Sequence, residues 1–147
     1  MKANKIKGYL LVFIQISCVV IIFLTGRPIA YRPLLLVWEC AGFMLGTWAV
    51  AVMGIHNFNV IPEVKDGAHL VTTGPYRFIR HPMYASVLFI IWPLIIDQYS
   101  LWRLITGLVL TGDLIVKLLY EEDLLRTRFA EYEGYMRDTK RLIPFLY

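Results

Sequence analysis

At 147 residues the chain has room for one domain, and its 58% hydrophobic content and mean hydropathy of +0.58 exceed what a soluble domain, about 45 to 50% apolar, carries. That surplus excludes an ordinary soluble core. The net charge of +4 fits a surface facing anionic lipid better than nucleic acid, because no soluble module remains to carry a basic stripe. Cys18 and Cys40 both lie in apolar runs, with no disulfide framework or metal spacing around them.

A bilayer core about 30 Å thick takes roughly 20 apolar residues per helix. Lys2, Lys5 and Lys7 precede an apolar run, and no small-residue cleavage pattern comes before Gly26-Arg27-Pro28, so residues 8–25 are expected to form a span and not a signal peptide. After a short polar hairpin with Pro28 and Pro33, residues 34–54 form the second expected span, interrupted by Glu39. An acidic residue placed within a span costs about 2.5–3.5 kcal/mol on insertion scales, which makes Glu39 a functional candidate, with a hydrogen bond to a neighbouring span as the structural alternative. Residues 56–82 are rich in Asn, Gly and Pro and read as a structured loop.

Residues 79–97 and 100–120, joined by the turn Asp97-Gln98-Tyr99-Ser100, predict a helical hairpin, with Pro82 in the first turn, where its missing N–H has no intrahelical partner. Residues 121–147 form a charged, aromatic tail in which Leu118, Glu122, Leu125, Phe129 and Tyr132 keep helical spacing, so the fourth helix is expected to extend beyond the membrane. Tyr132 and Tyr135 read as packing and interfacial aromatics. The expected fold is thus an all-α membrane domain of about four transmembrane helices covering 1–147. If the N-terminus is cytoplasmic, Lys2, Lys5, Lys7, Lys65, Arg77, Arg80, Lys117, Arg126, Arg128, Arg137, Lys140 and Arg141 lie inside. Only Arg27, Arg32 and Arg103 lie outside, and twelve against three places both termini in the cytoplasm.

Two groups could carry chemistry. Arg80 and His81 sit where the third helix begins, and free N–H groups and the helix dipole there favour an anionic group. Lys117, Glu121 and Glu122 stand at the inner end of the fourth helix, with Asp113, Lys117 and Glu121 four residues apart on one face.

The string LVTTGPYRFIRHPMY, followed by a hydrophobic hairpin, EEDLLRTRFAEYEGY and a terminal RLIP, resembles the isoprenylcysteine carboxyl methyltransferase and phospholipid methyltransferase superfamily of integral membrane enzymes over the C-terminal half. One position departs: after RHPxYx the family often has Gly, and here Ser86 follows Ala85. The resemblance implies a site for S-adenosylmethionine. His69, Leu70, Val71 and Tyr76 match cofactor contacts. His81, Pro82, Met83 and Tyr84 match the stretch that holds the cofactor at the helix head, and Arg80, at the same helix N-terminus, is a further cofactor-binding candidate. Glu121, with Glu122, matches the acid that completes the pocket, and Lys117 falls where the family places a basic substrate contact, normally Arg. Arg141 is a second cation for an acceptor carboxylate.

The implied reaction is methyl transfer to a lipophilic acceptor drawn from the bilayer. An isoprenylcysteine-like carboxylate leads, with a phospholipid amine or a small thiol as alternatives. A carboxylate would attack unaided beside Lys117 or Arg141, whereas an amine would first lose a proton, with Glu121 or Glu122 nearest. An NADPH-dependent sterol-type reductase and a non-catalytic adaptor are the rival classes. Membrane lipids are the further partners expected, and no metal or nucleic acid is.

Overall fold

The computed structural model describes residues 5–57 and 69–144, with the side chains of 55–57 left aside. Lys2, Lys65, the 58–68 part of the expected loop and the tail beyond Pro144 therefore lie outside the described residues. Five α-helices follow in order: α1 (Lys5–Leu24), α2 (Pro33–Asn57), α3 (Pro82–Asp97), α4 (Leu101–Arg128) and α5 (Tyr132–Asp138), with a 3-10 turn at Gly74–Arg77 before α3. The described residues contain no strand, only an isolated parallel bridge between Ile79 and Lys140. By length and apolar composition α1 and the Pro33–Gly54 part of α2 can cross a membrane, while α3 is a shorter apolar helix.

Prolines and small residues set the boundaries. Pro33 and Pro82 each open a helix, as expected of a residue lacking an N–H to donate. The third helix starts at Pro82 and not near residue 79, because Ile79 and Arg80 are pulled out of helical geometry by the C-terminal segment: the backbone N–H groups of Arg80 and His81 donate to the carbonyls of Lys140 and Arg141 at 2.8 and 3.0 Å. The fourth helix runs on past residue 120 to Arg128. There Phe129 turns extended (φ −118°, ψ 116°), so the expected Leu118-to-Tyr132 face is broken and Tyr132 opens α5 instead.

The helices alternate in direction. Lys7 lies over the Tyr120 ring at 4.6 Å, which sets the start of α1 beside the far end of α4, and α2 packs closely along α3. Close approach is possible because a Cβ at Gly42 would meet Phe89 at 2.9 Å and one at Gly46 would meet the Ser86 hydroxyl at 2.9 Å. Ser86 thus fills the position where the superfamily often has Gly without pushing the helices apart, its Oγ donating back to the Met83 carbonyl at 2.8 Å. The core between α1, α3 and α4 is built from Cys18, Ile22, Ile91, Leu94, Ile95, Leu110 and Leu114.

One end of the bundle is closed by polar groups turned on the chain itself. Arg103 donates to the carbonyls of Ile22 and Leu94, each at 2.8 Å, gathering the C-terminal ends of α1 and α3 where helix dipoles favour a cation. Asp97 accepts from the backbone N–H of Tyr31 at 2.7 Å and of Arg32 at 3.4 Å. Glu39 stands in the second turn of α2, only 2% exposed, and its carboxylate accepts the Ala30 N–H at 2.9 Å. Its buried carboxyl group therefore ties the α1–α2 hairpin together near the start of α2.

Candidate functional site

The opposite end is assembled by a clamp. The stretch leading into α3 and residues 139–142 lie side by side, joined by the two backbone bonds above and by the Lys140 N–H to the Phe78 carbonyl at 3.3 Å. Gly74 makes the preceding turn possible: its φ of +59° is one that L side chains rarely adopt, and a Cβ there would meet Val52 at 2.7 Å. This turn buries Tyr76 and presents His81 as the residue before Pro82.

Glu122 is the centre of the clamp. Its Oε1 accepts from Arg80 Nε at 2.8 Å, its Oε2 lies 3.1 Å from Arg141 Nε, and His81 Nε2 is 3.5 Å away. Burial would raise the carboxyl, but the His81 ring and the Arg80 guanidinium beside it outweigh that and hold it down to about 2. Arg80 spends its remaining reach on the C-terminal segment, with Nη1 donating to the carbonyls of Met136 and Thr139. The geometry thus gives Arg80 and Glu122 a structural task, holding α3, α4 and the tail together, in place of the anion-binding role expected of Arg80 at the helix head. Arg141 shares that task.

Glu121, one residue earlier, faces differently. Its side chain is 31% exposed, the Tyr84 hydroxyl donates to Oε2 at 2.7 Å, and His81 Nδ1 lies 3.7 Å from the same oxygen. The rings of His81 and Tyr84 stack, with centroids 5.4 Å apart and planes 5° from parallel. Among the described residues the buried Tyr76 Oη and Tyr132 Oη have no hydrogen-bond partner, and His81 Nε2 has only the 3.5 Å contact to Glu122. Burial pushes the Tyr76 and Tyr132 hydroxyls up, and nearby carboxylate charge adds to it, from Glu121 on Tyr76 and from Glu122 on Tyr132. Buried hydroxyls of this kind ordinarily find partners, so a cluster of orphans beside a partly open carboxylate is a place where a polar ligand would complete the hydrogen bonding.

His81, Tyr84, Glu121, Glu122 and Tyr76 are thereby brought into one neighbourhood. Pro82 and Met83 contribute through the start of α3. His69, exposed, and the half-buried Leu70 and Val71 form an extended lead into the 3-10 turn. Tyr132, read from sequence as packing, belongs to the cluster and is 1% exposed. Its signal lies in contacts between α4 and α5 that helical spacing alone could not give.

Lys117 lies deeper. It is 2% exposed, its Nζ donates to Gln15 Oε1 of α1 at 2.7 Å, and its ammonium sits 5.2 Å from the Tyr84 ring centre. The face expected from the four-residue spacing is real, with Asp113 buried one turn further in. Gln15 was not singled out by sequence, since a lone amide in an apolar helix carries no pattern.

Residues 34–132 match the profile of the phospholipid methyltransferase family. A methanethiol S-methyltransferase from Crocosphaera subtropica is 25% identical over 130 residues, covering 84% of this chain and 49% of that protein. The chain spans about half the length of this curated relative.

Proposed function

The chain belongs to the phospholipid methyltransferase family of membrane proteins, and on that premise we propose that it transfers methyl groups from S-adenosylmethionine at the Glu121 end of the bundle. The observation that carries this reading is the partly open Glu121 carboxylate, braced by Tyr84, beside His81 and near the Tyr76 and Tyr132 hydroxyls, which have no hydrogen-bond partner among the described residues. The residues present fit the cofactor. Glu121 would hold its amine or ribose hydroxyls, the stacked His81 and Tyr84 rings offer aromatic surface, and the orphaned hydroxyls would bond its polar edge. The cofactor supplies an already activated methyl group, so the protein's part is alignment, which can contribute about 7–11 kcal/mol.

The acceptor is proposed to be lipophilic and to arrive from the bilayer between helices, with both termini and the cofactor on the cytoplasmic side. The charge bias and the depth of Lys117 below Glu121 support this arrangement. A small thiol is the second reading, favoured by the methanethiol S-methyltransferase relative.

Thermal stabilisation of the detergent-solubilised protein tests the cofactor. S-adenosylhomocysteine should raise its melting temperature and NADPH should not. In His81→Ala and Glu121→Gln the bound affinity should drop about tenfold to a hundredfold, the worth of a charged hydrogen bond. Stabilisation by NADPH would point to a reductase, and by neither to an adaptor.

A further inference from the structure

Below the Glu121 site, Asp113 is 7% exposed in an apolar bundle, and neither of its carboxylate oxygens has a hydrogen-bond partner among the described residues. Charge on a carboxylate so placed is expensive, and its retention on the α4 face shared with Lys117 and Glu121 calls for a reason. Lys117, one turn away, does not supply one by contact. Its ammonium is committed to Gln15 at 2.7 Å and to the face of Tyr84 at 5.2 Å, and no ion pair joins it to Asp113.

Resting on the reading of Glu121 as the cofactor's acid, we infer that Asp113 is the seat of the methyl acceptor, and that this acceptor carries a proton on sulfur or nitrogen rather than arriving as a carboxylate. Two observations set the class. An unpartnered carboxylate takes a hydrogen bond from S–H or N–H and repels a second carboxylate. The face also holds two acids, Asp113 and Glu121, against one cation, Lys117, whose ammonium is turned onto Gln15 of α1, so its electrostatics favour a neutral or cationic guest. Spacing agrees: eight residues of helix separate Asp113 from Glu121 by about 12 Å along the axis, so a cofactor held at one end by Glu121 would reach towards an acceptor held at the other. The carboxylate acceptor implied by the superfamily resemblance is thereby disfavoured for this chain.

The test uses the full chain in detergent, with Asp113→Leu to remove the seat and Asp113→Asn to keep its shape. Butanethiol, dodecylamine and farnesylcysteine serve as acceptor probes, and S-adenosylhomocysteine serves for the cofactor. Wild type should turn over the thiol or the amine and leave farnesylcysteine untouched. Asp113→Leu should raise the KM of the preferred acceptor about tenfold or more, the value of a lost hydrogen bond to charge, with S-adenosylhomocysteine affinity unchanged. Direct binding of the same acceptor to cofactor-free protein, read by calorimetry, should weaken in parallel, and Asp113→Asn should lose less than Asp113→Leu.

Unchanged acceptor KM and binding in both variants, or preferential turnover of farnesylcysteine, would overturn the assignment. If wild type fails to bind S-adenosylhomocysteine, the cofactor reading falls by itself. Acceptor binding to wild type that Asp113→Leu abolishes would still uphold the seat, and acceptor binding that survives it would sink it.

Discussion

At the Arg103 end, buried polar groups close on the chain itself: Arg103 on two helix carbonyls, Glu39 on the Ala30 N–H, Asp97 on the Tyr31 and Arg32 N–H groups. At the His81 end the pattern differs, because Glu122, Arg80, Arg141 and His81 close on each other while the Tyr76 and Tyr132 hydroxyls have no hydrogen-bond partner among the described residues. Gln98 Nε2 and Arg103 Nε are also unpartnered at the first end, but each belongs to a group whose other atoms are engaged. A tyrosine has a single polar atom, so an orphaned hydroxyl leaves its side chain with no polar satisfaction at all. One end spends its polarity on holding helices together, and the other keeps some in reserve for a ligand.

The largest effect should come from the clamp. Glu122→Gln leaves Arg80 and Arg141 without their buried countercharge, and breaking such a pair costs about 3–5 kcal/mol. Denaturant melts should show it, and they should also show its pH signature. The folded Glu122 carboxyl is held at about 2, below its ordinary 4.5, so its contribution is complete above that ordinary value and is lost as pH falls from 4.5 towards 2. Wild type should therefore lose stability across that window and Glu122→Gln should lose less. A flat profile in wild type would refute the clamp.

Next in size is Arg103→Met, expected to cost about 2–3 kcal/mol from the charged hydrogen bonds at the α1 and α3 ends. It sharpens the comparison because S-adenosylhomocysteine affinity should stay as in wild type. A parallel loss of affinity would mean that the two ends are not independent. Tyr132→Phe should do the reverse: under about 1 kcal/mol of stability, since the hydroxyl bonds nothing among the described residues, but about a tenfold loss in S-adenosylhomocysteine affinity by calorimetry.

What the sequence disclosed divides along the same line. Hydropathy and proline placement located the helices, because span length and the missing proline N–H act locally: Pro33 and Pro82 do open helices. His81, Tyr84, Glu121 and Glu122 were legible as a group through their motif. What could not be read was set by tertiary contact. Arg80 is drawn into the clamp by a tail some sixty residues away, Glu39 finds an N–H across a hairpin, and the break at Phe129 that carries Tyr132 back to the site leaves no mark in helical spacing.

At Ser86, where the superfamily often has Gly, two substitutions are expected to part. Its hydroxyl bonds only the Met83 carbonyl of its own helix, and its Oγ lies 2.9 Å from where a Cβ on Gly46 would stand. Ser86→Gly removes one local hydrogen bond and adds backbone freedom, each worth about 0.5–1 kcal/mol, while leaving the α2–α3 contact intact. Binding of S-adenosylhomocysteine should be unaltered. Ser86→Val is the contrasting case, since two branches on Cβ must enter the space beside Gly46 that Ser86 already fills, and overpacking of this kind costs about 1–3 kcal/mol. Because α2 also carries Val52 against the Gly74 turn, a helix pushed off α3 would disturb the approach to His81. Ser86→Val should therefore lower both melting temperature and ligand affinity. Equal behaviour of the Gly and Val variants would mean that the α2–α3 seam does not control the site.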